Sequence, residues 1–247
     1  MVFKIVCVLI SSVAVLGAKF PDEIEKCDFE DHSCLIERMN WILQNKYEGV
    51  PGIRLAELDP LDIPSMSISQ GGNSPVNIDI QFKNVKFSGL KNAVVTNITG
   101  FKDVDQQNIG ITFKAPSVSL CGPYTIKGKI LVLPIEGKGD SNITVVNATI
   151  TMRFKGALVT KNNKEYLQLS NAKVAFTTTR MYIYYGNLFN GDEILGPTTN
   201  QFLNENWQIV LQELYPSIAE GFAQVYQGTL NNVFASHPYR SFFQGNR

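Results

Sequence analysis

Apolar and polar positions alternate most clearly at Val76, Ile78, Ile80 and Phe82, which interleave with Asn77, Asp79 and Gln81. A period of two sends the first set to one face of a strand and the second to the other. Val85 and Phe87 continue the pattern with its phase shifted by one, which predicts a bulge near Asn84. Further strands are predicted over Ala93–Phe101, Asn108–Lys114, Val118–Leu133, Ser141–Phe154, Leu158–Thr160, Tyr166–Leu169 and Val174–Tyr185. The stretch Pro134–Asp140, with Gly137 and Gly139, reads as a hairpin turn between two long strands. Each strand leads to the next through a local connection, so the predicted sheet is antiparallel and meandering.

Helical spacing flanks this β region on both sides. Ser33–Gln44 places Leu35, Met39, Ile42 and Leu43 on one stripe with Glu37 and Arg38 opposite, and Asn45 and Gly49 end it. Ile53–Ser69 is extended and punctuated by prolines, and Gly71-Gly72-Asn73 is a turn. From Gln201 onward, Leu203, Trp207, Val210, Leu211, Leu214, Ile218, Phe222, Val225 and Val233 recur at helical spacing. Pro197 and Thr198 suit a helix start, and Pro216 is expected to kink or interrupt the run. A continuous helix from Thr198 to Phe234 would be about 55 Å long. A strand of about 14 residues spans roughly 45 Å. The match predicts an α+β architecture: a long helix lying along a strongly twisted antiparallel sheet that wraps it. No repeat or linker breaks the chain, so residues 19–247 are expected to form one domain.

The amino terminus adds a compartment. Lys4 precedes an apolar run from Ile5 to Leu16, and Gly17 and Ala18 are small. Residues 1–18 therefore read as a secretory signal peptide, too short an apolar run to span about 30 Å of hydrocarbon. The remaining protein is expected to be secreted and extracellular, without stable membrane insertion. Of the four cysteines, Cys7 leaves with the signal, and Cys27 and Cys34 should pair in an oxidising compartment. Cys121 is left as a buried free thiol or the source of an intermolecular bridge. Sequons at Asn97, Asn142 and Asn147 predict solvent-facing glycosylation sites. Asn142 and Asn147 would point to opposite faces of a regular strand. A bulge between them, a turn at Asn142, or one unmodified site resolves that.

Composition closes off other classes. With 22 basic and 22 acidic residues the net charge is zero, so no basic field attracts nucleic acid or an anionic membrane. The two histidines, His32 and His237, read as exposed surface residues, and neither lies near a nucleophile-elbow pattern. Gly137-x-Gly139 lacks the lysine-serine pair and the following helix of a phosphate loop. No catalytic residue, metal site or cofactor is expected. What remains is apolar surface on both sheet and helix. Phe82, Phe113, Met152, Phe154, Phe176, Met181, Trp207, Leu211 and Phe222 are the candidate lining of a ligand tunnel, although composition alone favours an ordinary filled core.

Several segments in order resemble the takeout/juvenile-hormone-binding family of insects. They include Cys27…Cys34 after a signal peptide, Leu58-Asp59-Pro60-Leu61, and Phe87-x-Gly89-Leu90-x-Asn92. The most specific is Tyr124-x-Ile126-x-Gly128-x-Ile130-Leu131-x-Leu133-Pro134-Ile135-x-Gly137-x-Gly139. Leu188-Phe189-Asn190-Gly191, Phe202 through Trp207, and Pro238-Tyr239-x-x-Phe242-Phe243 follow. The resemblance implies a roll in which a highly curved sheet wraps a helix around an apolar tunnel. It implies a monomeric carrier of a small hydrophobic ligand, terpenoid or fatty-acyl, with roles in circadian output, feeding or chemosensation. The alternative is a secreted signalling or interaction protein whose tunnel is vestigial. The second disulfide of the hormone carriers is missing, which places the chain nearer the takeout-like branch.

Overall fold

The computed structural model describes residues 19–72, 75–105, 108–130 and 133–245. The expected signal peptide, Asn73 of the glycine turn and Leu131 lie outside them. Two long strands form the spine: β4 (Asn108–Ile130) and β5 (Leu133–Lys161), paired antiparallel from Asn108↔Lys155 to Ile130↔Leu133. Shorter strands flank this pair. β2 (Val76–Ser88) and β3 (Val94–Thr99) share one side of β4, and β1 (Leu61–Gln70) pairs with β2. β6 (Lys164–Thr177) and β7 (Arg180–Tyr185) share the outer side of β5. Every pairing is antiparallel, but β3 is skipped in the order β1-β2-β4-β5-β6, so the meander is not strictly sequential.

The predicted turn at Pro134–Asp140 is instead part of β5, and the reversal falls between Ile130 and Leu133. Gly137 and Gly139 are there for close approach. A side chain on Gly137 would meet the Tyr124 hydroxyl at 2.8 Å, and one on Gly139 would meet the Gly186 carbonyl at 2.5 Å. The strands expected at Asn108–Lys114 and from Val118 run together as one strand that ends at Ile130, with Leu133 opening the next, and Ser141–Phe154 and Leu158–Thr160 are likewise one strand.

Proline opposite a left-handed asparagine bends the sheet. In β2 the inward set passes from Val76, Ile78, Ile80 and Phe82 to Val85 and Phe87, and Asn84 has φ 52° at the flip. The register also shifts between Phe82 and Lys86, which makes the predicted bulge real. Pro64 sits opposite, between Ile63↔Val85 and Ser65↔Lys83, where β1 changes phase too. The same device recurs at Pro116, which sits between Ala115↔Ala148 and Ser117↔Val146 and so faces Asn147, with φ 51°. Proline has no N–H to leave unpaired where the asparagine turns out of the ladder. Because facing strands flip together, apolar side chains stay on the concave side while the sheet curls.

Among the described residues, three α-helices accompany the sheet: α1 (His32–Asn45), α2 (Leu195–Glu205) and α3 (Trp207–Phe234). Asp31 caps α1 by accepting from the Cys34 N–H at 3.0 Å. The long helix is not continuous. It breaks at Asn206, while Pro216 is accommodated inside α3, whose 28 residues span about 42 Å. α2 starts at Leu195, two residues before Pro197, because the Asp192 carboxylate accepts from the N–H groups of Ile194 and Leu195. Those bonds also hold that carboxyl below its usual range.

α3 touches both β1 and β6, the two edges of the sheet path, and so closes the curl. Carboxamides satisfy the backbone these edges leave open. Asn231 accepts from the Leu169 N–H (2.8 Å) and donates to its carbonyl (2.9 Å). Asn204 holds Ile183 at 3.0 and 2.6 Å, and Asn200 holds Tyr185 at 2.8 and 2.8 Å. On the other flank Asn40 of α1 does the same for Val95, at 2.7 and 3.1 Å. In each case a side chain reproduces the paired bonds of an adjacent strand.

Candidate ligand cavity

The interior is filled at one end and hollow at the other. At the filled end, Ile80, Phe82, Ile126 and Ile135 from the sheet and Leu203 from α2 are each 2% exposed or less. The Tyr124 and Tyr185 rings lie 4.5 Å apart, and the Tyr124 hydroxyl donates to the Gly186 carbonyl at 2.8 Å. Burial, reinforced by the neighbouring Tyr184, pushes the Tyr124 phenol up to about 12. Burial likewise pushes Tyr185 up, with Tyr124 adding to it.

Midway lies a cavity of about 90 Å³ walled by Phe87, Val118, Ile150 and Phe176 of the sheet and Leu211 and Phe222 of α3. Tyr226 borders it and also borders a larger cavity of about 250 Å³. The Tyr226 ring stands edge-on to Phe113 at 6.3 Å and stacks on Phe222 at 6.0 Å, an aromatic partition between the two spaces. Burial pushes its phenol well above the ordinary tyrosine range.

The larger cavity has a floor of Ile98, Ile111, Phe113 and Met152 from the sheet. Leu230, Val233 and Phe234 of α3 form one side, and Leu35, Met39, Ile42 and Leu43 of α1 form the roof. The termini meet at its mouth. Cys27 and Phe243 form a parallel bridge, and the Gln244 N–H donates to the Cys27 carbonyl at 2.8 Å. Phe20, Phe234 and Phe242 pack edge-to-face there, and the Tyr239 hydroxyl donates to the Phe101 carbonyl. The Cys27–Cys34 disulfide ties α1 to this junction. The polar side chains on the cavity wall are few. Thr229 turns its hydroxyl onto the Val225 carbonyl (3.0 Å), and Glu25 and Arg38 pair with each other at 2.8 Å.

The nine candidate lining residues divide three ways. Phe113 and Met152 border the larger cavity, and Phe176, Met181, Leu211 and Phe222 border the smaller. Phe82, Phe154 and Trp207 border neither, because each is packed into solid core. The helix after Cys27 and the tail after His237 are candidate entry elements from the sequence, but none of the nine lining residues comes from them, and they supply the roof and part of the wall. Arg38 was expected on the outer face of α1. It falls three residues after Leu35 and four before Ile42, and so shares their face.

Other expectations also resolve. Asn97, Asn142 and Asn147 are all exposed, and the left-handed backbone at Asn147 lets it share the outer face with Asn142. His32 is exposed, but His237 is buried between Phe20 and Phe242, with Nδ1 3.0 Å from the Ser236 hydroxyl oxygen. Ser236 is committed to the end of α3, donating to the Val233 carbonyl at 2.6 Å. Cys121 has no disulfide partner among the described residues and is half-buried rather than buried, and burial pushes its thiol up. Among the described residues no helix is long and apolar enough to cross a membrane.

A curled antiparallel sheet closed by a helix around an apolar hollow defines a carrier-type α+β roll. The chain belongs to the haemolymph juvenile hormone binding protein (JHBP) family, whose sequence profile matches residues 5–244. It is 26% identical over 230 residues to the circadian clock-controlled protein daywake of Drosophila yakuba and of Drosophila melanogaster, spanning 91% of this chain and 88% of theirs. A putative beta-carotene-binding protein of Schistocerca gregaria is 24% identical over 200 residues, 80% of this chain and 77% of that one. The crystal structure of Epiphyas postvittana Takeout 1 superposes with a TM-score of 0.76 at 26% identity, covering 90% of this chain and 100% of that one.

Proposed function

We propose that this protein is a secreted, monomeric carrier that holds one small lipophilic ligand, a terpenoid or a fatty-acyl lipid, between α3 and the sheet, and that it is not an enzyme. The observation that carries this reading is the larger cavity: about 250 Å³ of space whose wall is almost wholly aliphatic and aromatic. A collapsed interior would have favoured a signalling protein with a vestigial tunnel instead. A relative named for beta-carotene binding supports a hydrophobic guest, and relatives named for the circadian clock support a role in rhythm-linked physiology.

The binding energy is hydrophobic. A guest burying about 15 methylene equivalents gains roughly 12 kcal/mol at about 0.8 kcal/mol each. Ordering and association costs remove several kcal/mol of that. The remainder corresponds to micromolar to nanomolar affinity. Among guests of equal polarity, selectivity then follows length and shape. Entry runs past α1 and the carboxy-terminal tail, which close the mouth. Mass spectrometry of organic extracts from the purified native protein tests the reading. A single class of apolar lipid near one molecule per chain is expected; extracts free of lipid, from protein that takes up none when it is supplied, would overturn it.

A further inference from the structure

We propose that Arg38 is the polar anchor of the cavity and selects lipids that carry a neutral hydrogen-bond acceptor, such as an ester or ketone oxygen, over free carboxylates. This rests on the carrier reading and specifies its ligand class. Arg38 stands on the α1 roof of the larger cavity with its side chain 22% exposed. One terminal nitrogen donates to Glu25 at 2.8 Å and the other to Glu37 at 2.5 Å. Nε is shut off from solvent and has no hydrogen-bond partner among the described residues. A buried donor on a charged group left unmatched is unfavourable, and an acceptor that reaches it recovers that loss.

The charge around the guanidinium decides which acceptor. Two carboxylates face one cation, so the group as a whole is negative before any ligand arrives. An incoming carboxylate adds a third negative charge at an apolar wall, where desolvation already penalises it. A neutral carbonyl takes the free N–H without either cost. Glu25 and Glu37 are themselves 73% and 71% exposed, so they can follow a small rotation that brings Nε–H onto the cavity surface. Among the described residues, the other polar side chains on this wall do not compete near the mouth. Thr229 is bonded to its own helix, and Tyr226 lies at the inner partition.

The test is displacement of a fluorescent apolar probe, N-phenyl-1-naphthylamine, by three ligands of equal chain length: hexadecane, methyl palmitate and palmitate. The wild type should bind methyl palmitate most tightly. Arg38→Met keeps a flexible apolar stem and removes the donor; it should weaken methyl palmitate about tenfold and leave hexadecane nearly unchanged. Glu25→Gln with Glu37→Gln should strengthen palmitate about threefold, the modest size expected for exposed charges. Tighter wild-type binding of palmitate than of its ester, or an Arg38→Met variant with an unaltered ester-to-alkane ratio, overturns the inference and leaves the carrier reading standing. Absence of probe and lipid uptake in every form overturns both. Should Arg38→Met fail to fold, the glutamine pair decides alone, and no gain for palmitate counts against the anchor.

Discussion

The two ends of the roll are built from one sheet and meet opposite requirements. At the filled end, the Tyr124 and Tyr185 rings pack at a tilt, Gly137 and Gly139 let the chain after β7 press against β5, and Asn200 and Asn204 clasp β7 from α2. At the hollow end the roof is α1, none of whose residues is buried, held by the Cys27–Cys34 disulfide and the Asn40 clasp. Fewer buried contacts mean cheaper local opening. Burial is thus concentrated at the filled end, and the least buried cover lies over the hollow, where the carrier reading needs an entrance.

Three changes test that contrast. The largest effect is expected from Phe82→Ala at the filled end, where the ring is 1% exposed. It should lose about 3–5 kcal/mol in urea unfolding, as large-to-small core truncations do. Met39→Ala on the roof already borders a void and should lose only about 1 kcal/mol. Equal losses at both sites would erase the difference between the ends. Next, replacing Cys27 and Cys34 by serine should lower stability by about 2–3 kcal/mol on the chain-entropy estimate. Hydrogen exchange should quicken across α1 while β7 and α2 stay protected. Uniform quickening over the whole chain would contradict a separately hinged roof.

The smallest effect concerns alkaline pH. The Tyr124 phenol is raised from 10.0 to about 12 in the folded protein, so the unfolded chain ionises first. Its stabilising contribution is complete below about pH 10 and is lost as pH rises through about 12. The melting temperature should fall over that window, and Tyr124→Phe should flatten the fall while costing about 1 kcal/mol at neutral pH through the lost bond to Gly186. An identical alkaline slope in the variant would remove Tyr124 from the account.

Much of the framework was legible because the patterns that carry it are local. The phase flip after Phe82 exposed the Asn84 bulge, and alternation located the strands. The segments that identified the family turn out to be structural locks. The Asp59 carboxylate accepts from the N–H groups of Gly89 and Lys91, joining two of those segments directly. Tyr124, Gly137 and Gly139 lock the filled end, and Tyr239 and Phe242 lock the mouth.

The cavity wall was less legible, because a large apolar side chain fills a core or borders a hollow with the same sequence signature. Phe82 and Phe113 both alternate correctly within strands. What faces them in the fold separates them: Phe113 meets the edge of Tyr226 beside the larger cavity, whereas Phe82 is packed into filled core. The break at Asn206 was hidden because apolar spacing continues across it from Leu203 to Trp207. Pro216 drew attention away from it.

The most direct test fills the hollow. Ile111 lies on the floor of the larger cavity, 4% exposed, and Ile111→Trp would project an indole into that space. Titration with a fluorescent apolar probe should give one site per chain in the wild type and at least tenfold weaker binding in the variant, with an unchanged melting temperature. Binding of equal strength and stoichiometry in the two proteins would show that the lipid sits elsewhere.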